Sequence, residues 1–329
     1  MKPHVAADSS EVIVDAEEVT KVFGKTTGRL GRGKAGVRVL RGVDLRITAG
    51  EAVGLVGESG SGKSTIARLL VALHAPSGGR LSVAGMDLTR PRRSVVRALR
   101  KHVQMVFQDP SQSLNPRLRV RTLVEEPLRV QGIESRSGRV AELLEAVGLP
   151  TTFGSRFPAE LSGGQLQRVA IARALAPTPD LVVLDEAVSA LDTSVQAQIL
   201  NLISDLQSST GAAFLFIGHD LGAVRHVTDR VAVLYLGRIV EVGPSDAVLA
   251  SPRHPYTRAL AASVLDVGRT AEGLPAPIEG EIPSIKNPPS GCGFRTRCPL
   301  ATSVCAEAEP PLVALGPDWH MFCHHPDPR

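Results

Sequence analysis

Apolar residues occur in short alternating or continuous runs, and stretches of helical period separate them. Residues 11–23 (EVIVDAEEVTKVF) read as the opening of a strand pair, Gly24 to Gly36 as a mobile hairpin loop, and residues 37–48 and 52–56 as strands. The run Ala52-Val53-Gly54-Leu55-Val56 is apolar on both faces, as a parallel strand buried between helices is. A Gly/Ser-rich turn follows it, then a helical pattern from Ser64 to Leu73. Residues 90–101 (RPRRSVVRALRK) carry a basic helical period. A solvated face accounts for that charge, and contact with anionic lipid or a partner is the other reading.

From about residue 104 to 175 the period is helical, broken at Pro116, Pro127, Gly148 and Pro158. Leu181–Leu184 and Phe214–Ile217 read as two more buried strands, and residues 231–241 as a terminal strand. After about Ser251, Pro, Gly and Cys rise and the periodicity fades. The expected division is therefore a main domain at 11–250, with a helical subdomain at about 104–175, and an extension at 251–329.

Composition narrows the class. The 329 residues are 43% hydrophobic and 21% charged with a net charge of +4, which suits a soluble globular chain. Aromatics at 3% argue against a base-stacking surface, so no nucleic-acid partner is expected. No run reaches the ~20 apolar residues a bilayer span needs. Met1 to Ser10 is polar and lacks the apolar core of a signal peptide, so the expected compartment is the cytoplasm.

The chemistry starts at Gly57-Glu58-Ser59-Gly60-Ser61-Gly62-Lys63-Ser64, which fits G-x-x-x-x-G-K-[ST] between an apolar strand and a helix. Glycines let successive N–H groups turn inward around phosphate, and the helix start adds its positive end. Lys63 would reach the outer phosphates and Ser64 would hold Mg²⁺, with Thr65 beside it. A Gly-rich strand–helix turn without a ligand is the plain alternative. Asp185 and Glu186 end the strand 181–184. Asp185 suits the Mg²⁺ shell and Glu186 the base that polarises an attacking water. Alone, that pair is equally well a helix cap.

Leu161-Ser162-Gly163-Gly164-Gln165-Leu166-Gln167-Arg168 closely resembles the signature of ABC ATPases. A Ser-Gly helix cap explains the turn but not the Gln and Arg that follow. The resemblance implies a P-loop NTPase core of α/β class, an antiparallel β subdomain, a helical subdomain and a Cys-containing C-terminal extension. It implies that Ser162, Gly163, Gly164 and Gln165 cap ATP held by a second subunit, and that Asp192 lies in a loop crossing to that subunit. It further implies that Gln108 senses Mg²⁺ and water and couples to membrane subunits. His219 would contact the γ-phosphate and Phe23 would stack on adenine, although a plain core Phe explains position 23 as well. Ala187 stands where the family usually has Pro, and Gly218 where it usually has Ser. The glycine is expected to loosen His219.

Within that family the closest form is the dipeptide/oligopeptide importer ATPase with a long loop after the first strand. Four stretches carry this: Phe107–Pro110 with Ser113–Pro116, Val188–Asp192 with Gln196–Leu200, Pro252–Thr257, and Gly280–Ser284. The implied function is ATP hydrolysis coupled to peptide uptake. Its implied partners are two permeases, a second and different ATPase chain, and indirectly a solute-binding protein. The implied place is the cytoplasmic face of the membrane. Nickel or another small solute remains an alternative cargo.

A soluble ABC ATPase acting on DNA or ribosomes is the competing reading. The interval from 65 to 161 shows no coiled-coil heptads, and only one set of motifs is present. A non-hydrolysing subunit is a third reading, set against the presence of every catalytic position.

Cys292, Cys298, Cys305 and Cys323 all fall in the tail. They lack the close C-x₂₋₄-C pair usual for structural zinc, and four thiolates also suit an iron–sulfur cluster. Similar tails in the family imply a [4Fe–4S] cluster in some members. Zinc with His320, His324 or His325 and simple idle thiols stay open.

Overall fold

A computed structural model describes residues 11–24, 36–133, 136–263 and 280–326. The Gly24–Gly36 loop expected from sequence lies outside them except at its two ends.

The first elements are β1 (Val12–Phe23), β2 (Val37–Thr48), β3 (Ala52–Val56), α1 (Lys63–Leu70), β4 (Gly78–Val83) and β5 (Met86–Asp87). Next come α2 (Arg93–His102), β6 (Val103–Val106), α3 (Pro110–Ser113), α4 (Val120–Val130), α5 (Arg136–Ala146) and α6 (Gly163–Leu175). Then follow β7 (Leu181–Asp185), α7 (Thr193–Thr210), β8 (Ala213–Ile217), α8 (Leu221–Val227), β9 (Arg230–Tyr235) and β10 (Arg238–Pro244). The tail carries α9 (Ser245–Ala250), α10 (Pro255–Ser263), α11 (Val304–Glu307), β11 (Leu312–Gly316) and β12 (Trp319–Phe322).

Strands β2-β1-β4-β5 form a four-stranded antiparallel sheet. A larger sheet has the order β11-β12-β10-β9-β3-β8-β7-β6, parallel from β9 to β6. The side-chain period of two splits the central strands between two cores. Ala52 and Val56, Val182 and Leu184, and Phe214 and Phe216 join one core with the helices α4 to α7. Val53 and Leu55, Leu181 and Val183, and Leu215 and Ile217 join the other, with α1 and the small sheet. Full burial of each such side chain contributes about 1.5–3 kcal/mol, so both faces of the phosphate-loop strand are held firmly.

Three expectations change. Val103–Val106 is the parallel edge strand beside Leu181–Leu184, where a helix was expected. Four residues are too few to display a period, and the ladder with β7 decides. Pro127 does not break its helix: α4 continues to Val130. Residues 231–241 are two strands, because Leu236 and Gly237 both take positive φ, 43° and 78°, and close a two-residue hairpin. A Cβ on Gly237 would lie 2.1 Å from the Val39 carbonyl oxygen.

The tail adds strands to the large sheet, β12 pairing with β10 through Glu241–Met321 and Val242–His320. Its anchor is Glu241, fully buried, which accepts from the Arg253 and His254 amides at 3.1 and 3.0 Å and from Trp319 Nε1 at 3.0 Å. Among the described residues no helix is long and apolar enough to cross a membrane.

Candidate functional site

The candidate residues gather at the carboxyl ends of β3, β6, β7 and β8, where open α/β sheets bind ligands. Gly57, Gly60 and Gly62 have φ of 151°, 78° and 115°, so the turn from β3 to α1 needs glycine. At Gly57 a Cβ would stand 2.1 Å from the Leu234 carbonyl oxygen. Gly62 precedes α1, and no side chain caps that helix start. Ser61 is buried, and its Oγ has no hydrogen-bond partner among the described residues. An uncapped helix start above an orphaned hydroxyl is a cradle suited to an anion.

Lys63 folds back over this cradle, its Nζ donating to the carbonyls of Gly57 (2.6 Å) and Glu58 (3.0 Å). Burial lowers its pKa, while Glu186, Asp185 and Glu58 pull the other way. Ser64 Oγ donates to Asp185 Oδ1 at 3.3 Å. Burial foremost raises the Asp185 pKa, and the Ser64 hydrogen bond opposes it.

Glu186 occupies a left-handed φ of 50°, while its amide donates to the Ile217 carbonyl at 3.0 Å. A non-glycine residue there costs about 1–3 kcal/mol, a strain typical of functional positions. Gln108 Nε2 donates to Glu186 Oε2 at 2.9 Å and approaches Ser189 Oγ at 3.5 Å. His219 follows β8 and is exposed. Asp220 behind it caps α8, accepting from the Gly222 and Ala223 amides at 2.8 and 3.1 Å.

Other expected residues stand apart. Phe23 ends β1 and meets His74 edge-on at 5.3 Å, with Lys21 Nζ 5.0 Å from its ring centre. Ser162 caps α6, and Gln165 completes a reciprocal box, with bonds of 3.3 and 3.0 Å. Arg168 donates to the Val147 carbonyl at 2.6 Å. The Gln and Arg set against a plain cap in the sequence therefore have structural partners of their own. Ser162, Gly163 and Asp192 are exposed, and Ser162 and Gly163 make no hydrogen bond to the phosphate loop among the described residues. Gly164 is a packing requirement: its Cβ would meet Val195 at 2.5 Å.

Two residues that sequence reasoning missed touch the loop. Tyr256 Oη accepts from the Glu58 amide at 2.9 Å, and Arg297 pairs with the Glu58 carboxylate at 2.8 and 3.0 Å. Both come from the tail, and both hold Glu58. Its acidic side chain within an anion loop was the one available signal.

The four cysteines are free thiols, buried or half-buried. Burial raises the pKa of Cys292, Cys298 and Cys323, the last to about 11, with smaller contributions from neighbouring cysteines. Among the described residues no group of three or more His, Cys, Asp or Glu is gathered so as to hold a metal ion.

A strand, an anion cradle and an acidic strand end in this order define a phosphate-loop ATPase. The fold is similar to the dimeric ATP-binding cassette MJ0796 in a post-hydrolysis state with ADP and Pi, at a TM-score of 0.62 and 30% identity, covering 71% of this chain and 99% of that one. Residues 40–189 match the family model "ABC transporter", and residues 240–305 match "Oligopeptide/dipeptide transporter, C-terminal region". The chain is 49% identical over 320 residues to y4tS of Sinorhizobium fredii, named a probable peptide ABC transporter ATP-binding protein, covering 96% of this chain and 90% of that protein. It is 42% identical over 327 residues to the oligopeptide transport ATP-binding protein AppF of Bacillus subtilis, covering 97% and 99%. The chain belongs to the ATP-binding proteins of oligopeptide/dipeptide ABC transporters, and it is an ATPase.

Proposed function

We propose that this ATPase drives the import of short peptides, working with two permeases and a second, different ATPase chain at the cytoplasmic face of the membrane. A solute-binding protein would select the cargo outside. The names of y4tS and AppF support a peptide cargo. The observation that carries the catalytic reading is the contact of Ser64 with Asp185 beside an uncapped helix start. A hydroxyl and a carboxylate are thereby placed together at the mouth of an anion cradle.

In this reading the backbone around residues 57–65, apart from the Glu58 amide that Tyr256 takes, and Lys63 hold the triphosphate. Ser64, Asp185 and Gln108 would hold Mg²⁺, which supplies charge neutralisation at the phosphates. Glu186 orients and polarises the attacking water, His219 approaches the γ-phosphate, and Phe23 lies under the adenine. The reaction is phosphoryl transfer to water, and the chain contributes mainly position and charge. Ser162, Gly163, Gly164, Gln165 and Asp192 are exposed or half-exposed, as groups that face a second subunit must be.

A groove of about 1030 Å³ is lined by Gln104, Met105, Phe107 and Val130 and by the cations Arg97, Arg100 and Lys101, while Arg173 on its wall pairs with Glu126 at 3.0 Å. Phe107 and Val130 are 44% and 72% exposed. An apolar permease segment carrying acidic residues fits it, and its seating would act on Gln108.

The tail cysteines are assigned to a [4Fe–4S] cluster. Its support is that the tail carries four free thiols, the number of thiolates such a cluster takes. A colourless, iron-free protein after anaerobic purification would reject this assignment.

The whole reading is tested by titrating the protein with a fluorescent ATP analogue and Mg²⁺, then reconstituting it with its permeases in vesicles. Binding that Lys63→Ala abolishes, with ATP-dependent uptake of a labelled dipeptide, is the expected result. Uptake of Ni²⁺ in place of peptide would overturn the cargo assignment. Absence of nucleotide binding would overturn the site.

A further inference from the structure

The phosphate loop carries an acid. Glu58 lies between Gly57 and Ser59, in a segment that, on the reading above, wraps a polyanion. A carboxylate so placed repels the phosphates, and burial leaves that repulsion less screened than it would be in water. The structure contains a device that offsets it. Arg297 takes both carboxylate oxygens, Nη1 to Oε2 at 2.8 Å and Nη2 to Oε1 at 3.0 Å. This is the two-pronged geometry that makes Arg–carboxylate pairs strong. The Arg297 side chain is 5% exposed and that of Glu58 is 19% exposed.

The guanidinium is held from behind. Its Nη1 also lies 3.5 Å from Tyr235 Oη, and the Arg297 amide donates to the Phe294 carbonyl at 2.9 Å. Phe294 packs on Tyr235 and Tyr256, with ring centres 5.3 and 5.4 Å apart. Tyr256 in turn accepts the Glu58 amide. Backbone and side chain of the same loop residue are thus drawn to the tail, while Lys63 closes the loop from the opposite direction.

We propose that Arg297 is a positioning residue for nucleotide binding: by pairing with Glu58 it removes an acidic charge from the phosphate cradle, so the cysteine-bearing tail sets the affinity of the distant loop for ATP. The inference rests on reading residues 57–64 as that cradle.

The test measures Mg·ATP and Mg·ADP affinity and steady-state kinetics for four proteins: wild type, Arg297→Gln, Arg297→Lys and the double variant Glu58→Gln with Arg297→Gln. In Arg297→Gln the KM and Kd for ATP should rise by about tenfold, and kcat should stay within about twofold. The loss should be larger for ATP than for ADP and should shrink with added salt, since repulsion scales with ligand charge and is screened. Arg297→Lys keeps the charge without the fork and should fall between. The double variant removes both charges and should recover ATP affinity to within about threefold of wild type. A role confined to pinning the tail would leave the double variant as impaired as the single one and both nucleotides equally affected, and that result overturns the proposal. If Arg297→Gln does not fold, the double variant decides: weak ATP binding in it also overturns the proposal. Wild type that takes up no Mg·ATP defeats the site reading itself, whereas normal affinity in Arg297→Gln defeats only this inference.

Discussion

The side-chain amide of Gln108 donates to the carboxylate of Glu186 at 2.9 Å, joining the ends of two neighbouring parallel strands, β6 and β7. Phe107, the sequence neighbour of Gln108, lines the basic groove, and Glu186 lies close enough to Lys63 to act on its charge. On the proposed reading, the chain from Phe107 through Gln108 joins the groove offered to the permease to the carboxylate that would polarise water.

Glu186→Gln keeps the shape of that contact and removes the base. Phosphate release should fall by at least about 10²-fold, the usual contribution of a positioned general base. Mg·ATP should still bind, and size-exclusion chromatography should show a nucleotide-dependent dimer. Wild-type turnover in this variant would take Glu186 out of the mechanism.

Gly57→Ala tests the cradle geometry. The new methyl group would meet the Leu234 carbonyl oxygen at 2.1 Å, and φ of 151° is poorly suited to any side chain. The loop must then move relative to β9. Nucleotide titration should register loss of binding, and Gly85→Ala, where nothing lies within 4 Å, should retain it.

Glu241→Ala would leave two backbone amides and the Trp319 indole N–H buried without their acceptor. A loss of about 1–3 kcal/mol for each donor left buried without a partner is expected in denaturant unfolding. Trp319→Phe deletes one donor only and should cost about 1 kcal/mol for the hydrogen bond, plus lost packing. Equal midpoints for wild type and Glu241→Ala would show that the tail is not anchored there.

His254 makes stability depend on pH. Its ring is 2% exposed by residue, Nδ1 accepts from the Tyr256 amide at 3.0 Å, and burial pushes its pKa from 6.5 down to about 3. Between those values the unfolded chain binds a proton that the folded chain does not. The contribution is therefore complete above pH 6.5 and is lost as pH falls toward 3, at a limiting slope of about 1.4 kcal/mol per pH unit. Replacing His254 with Gln should flatten this part of a stability–pH curve, and an unchanged curve would exclude the residue as its source.

Gly218→Ser restores the residue usual in the family. A Cβ there would lie 3.2 Å from Phe216 Cε1 and 3.6 Å from Val224. The ring must give by a few tenths of an ångström, so a destabilisation of about 1 kcal/mol is expected. Adding Phe216→Leu should relieve it. A stabilised single variant would mean that the ring yields freely and that Gly218 serves no packing purpose.

Much of this protein was legible in one dimension because its signals are local. A strand running into Gly57–Ser64 and then a helix states its strand–turn–helix order within a few residues, and the apolar run ending in Asp185-Glu186 states its strand. The runs β3, β7 and β8 read as buried strands, and only the structure divides their side chains between two cores. The strand at Val103–Val106 was not legible, because four residues carry no period and only the ladder with β7 makes them a strand. Nor was the bond that Gln165 accepts from the Ser162 amide, which exists only once α6 has a defined start. Above all, nothing near Glu58 announces Arg297. They are 239 positions apart, and a pair of charges at that separation has no spacing to read. They meet where the segment carrying Phe294 and Arg297 packs on Tyr235 and Tyr256. Contacts made by long-range packing belong to the tertiary structure alone, since their energy exists only after the chain has paid the entropy of closing the intervening loops.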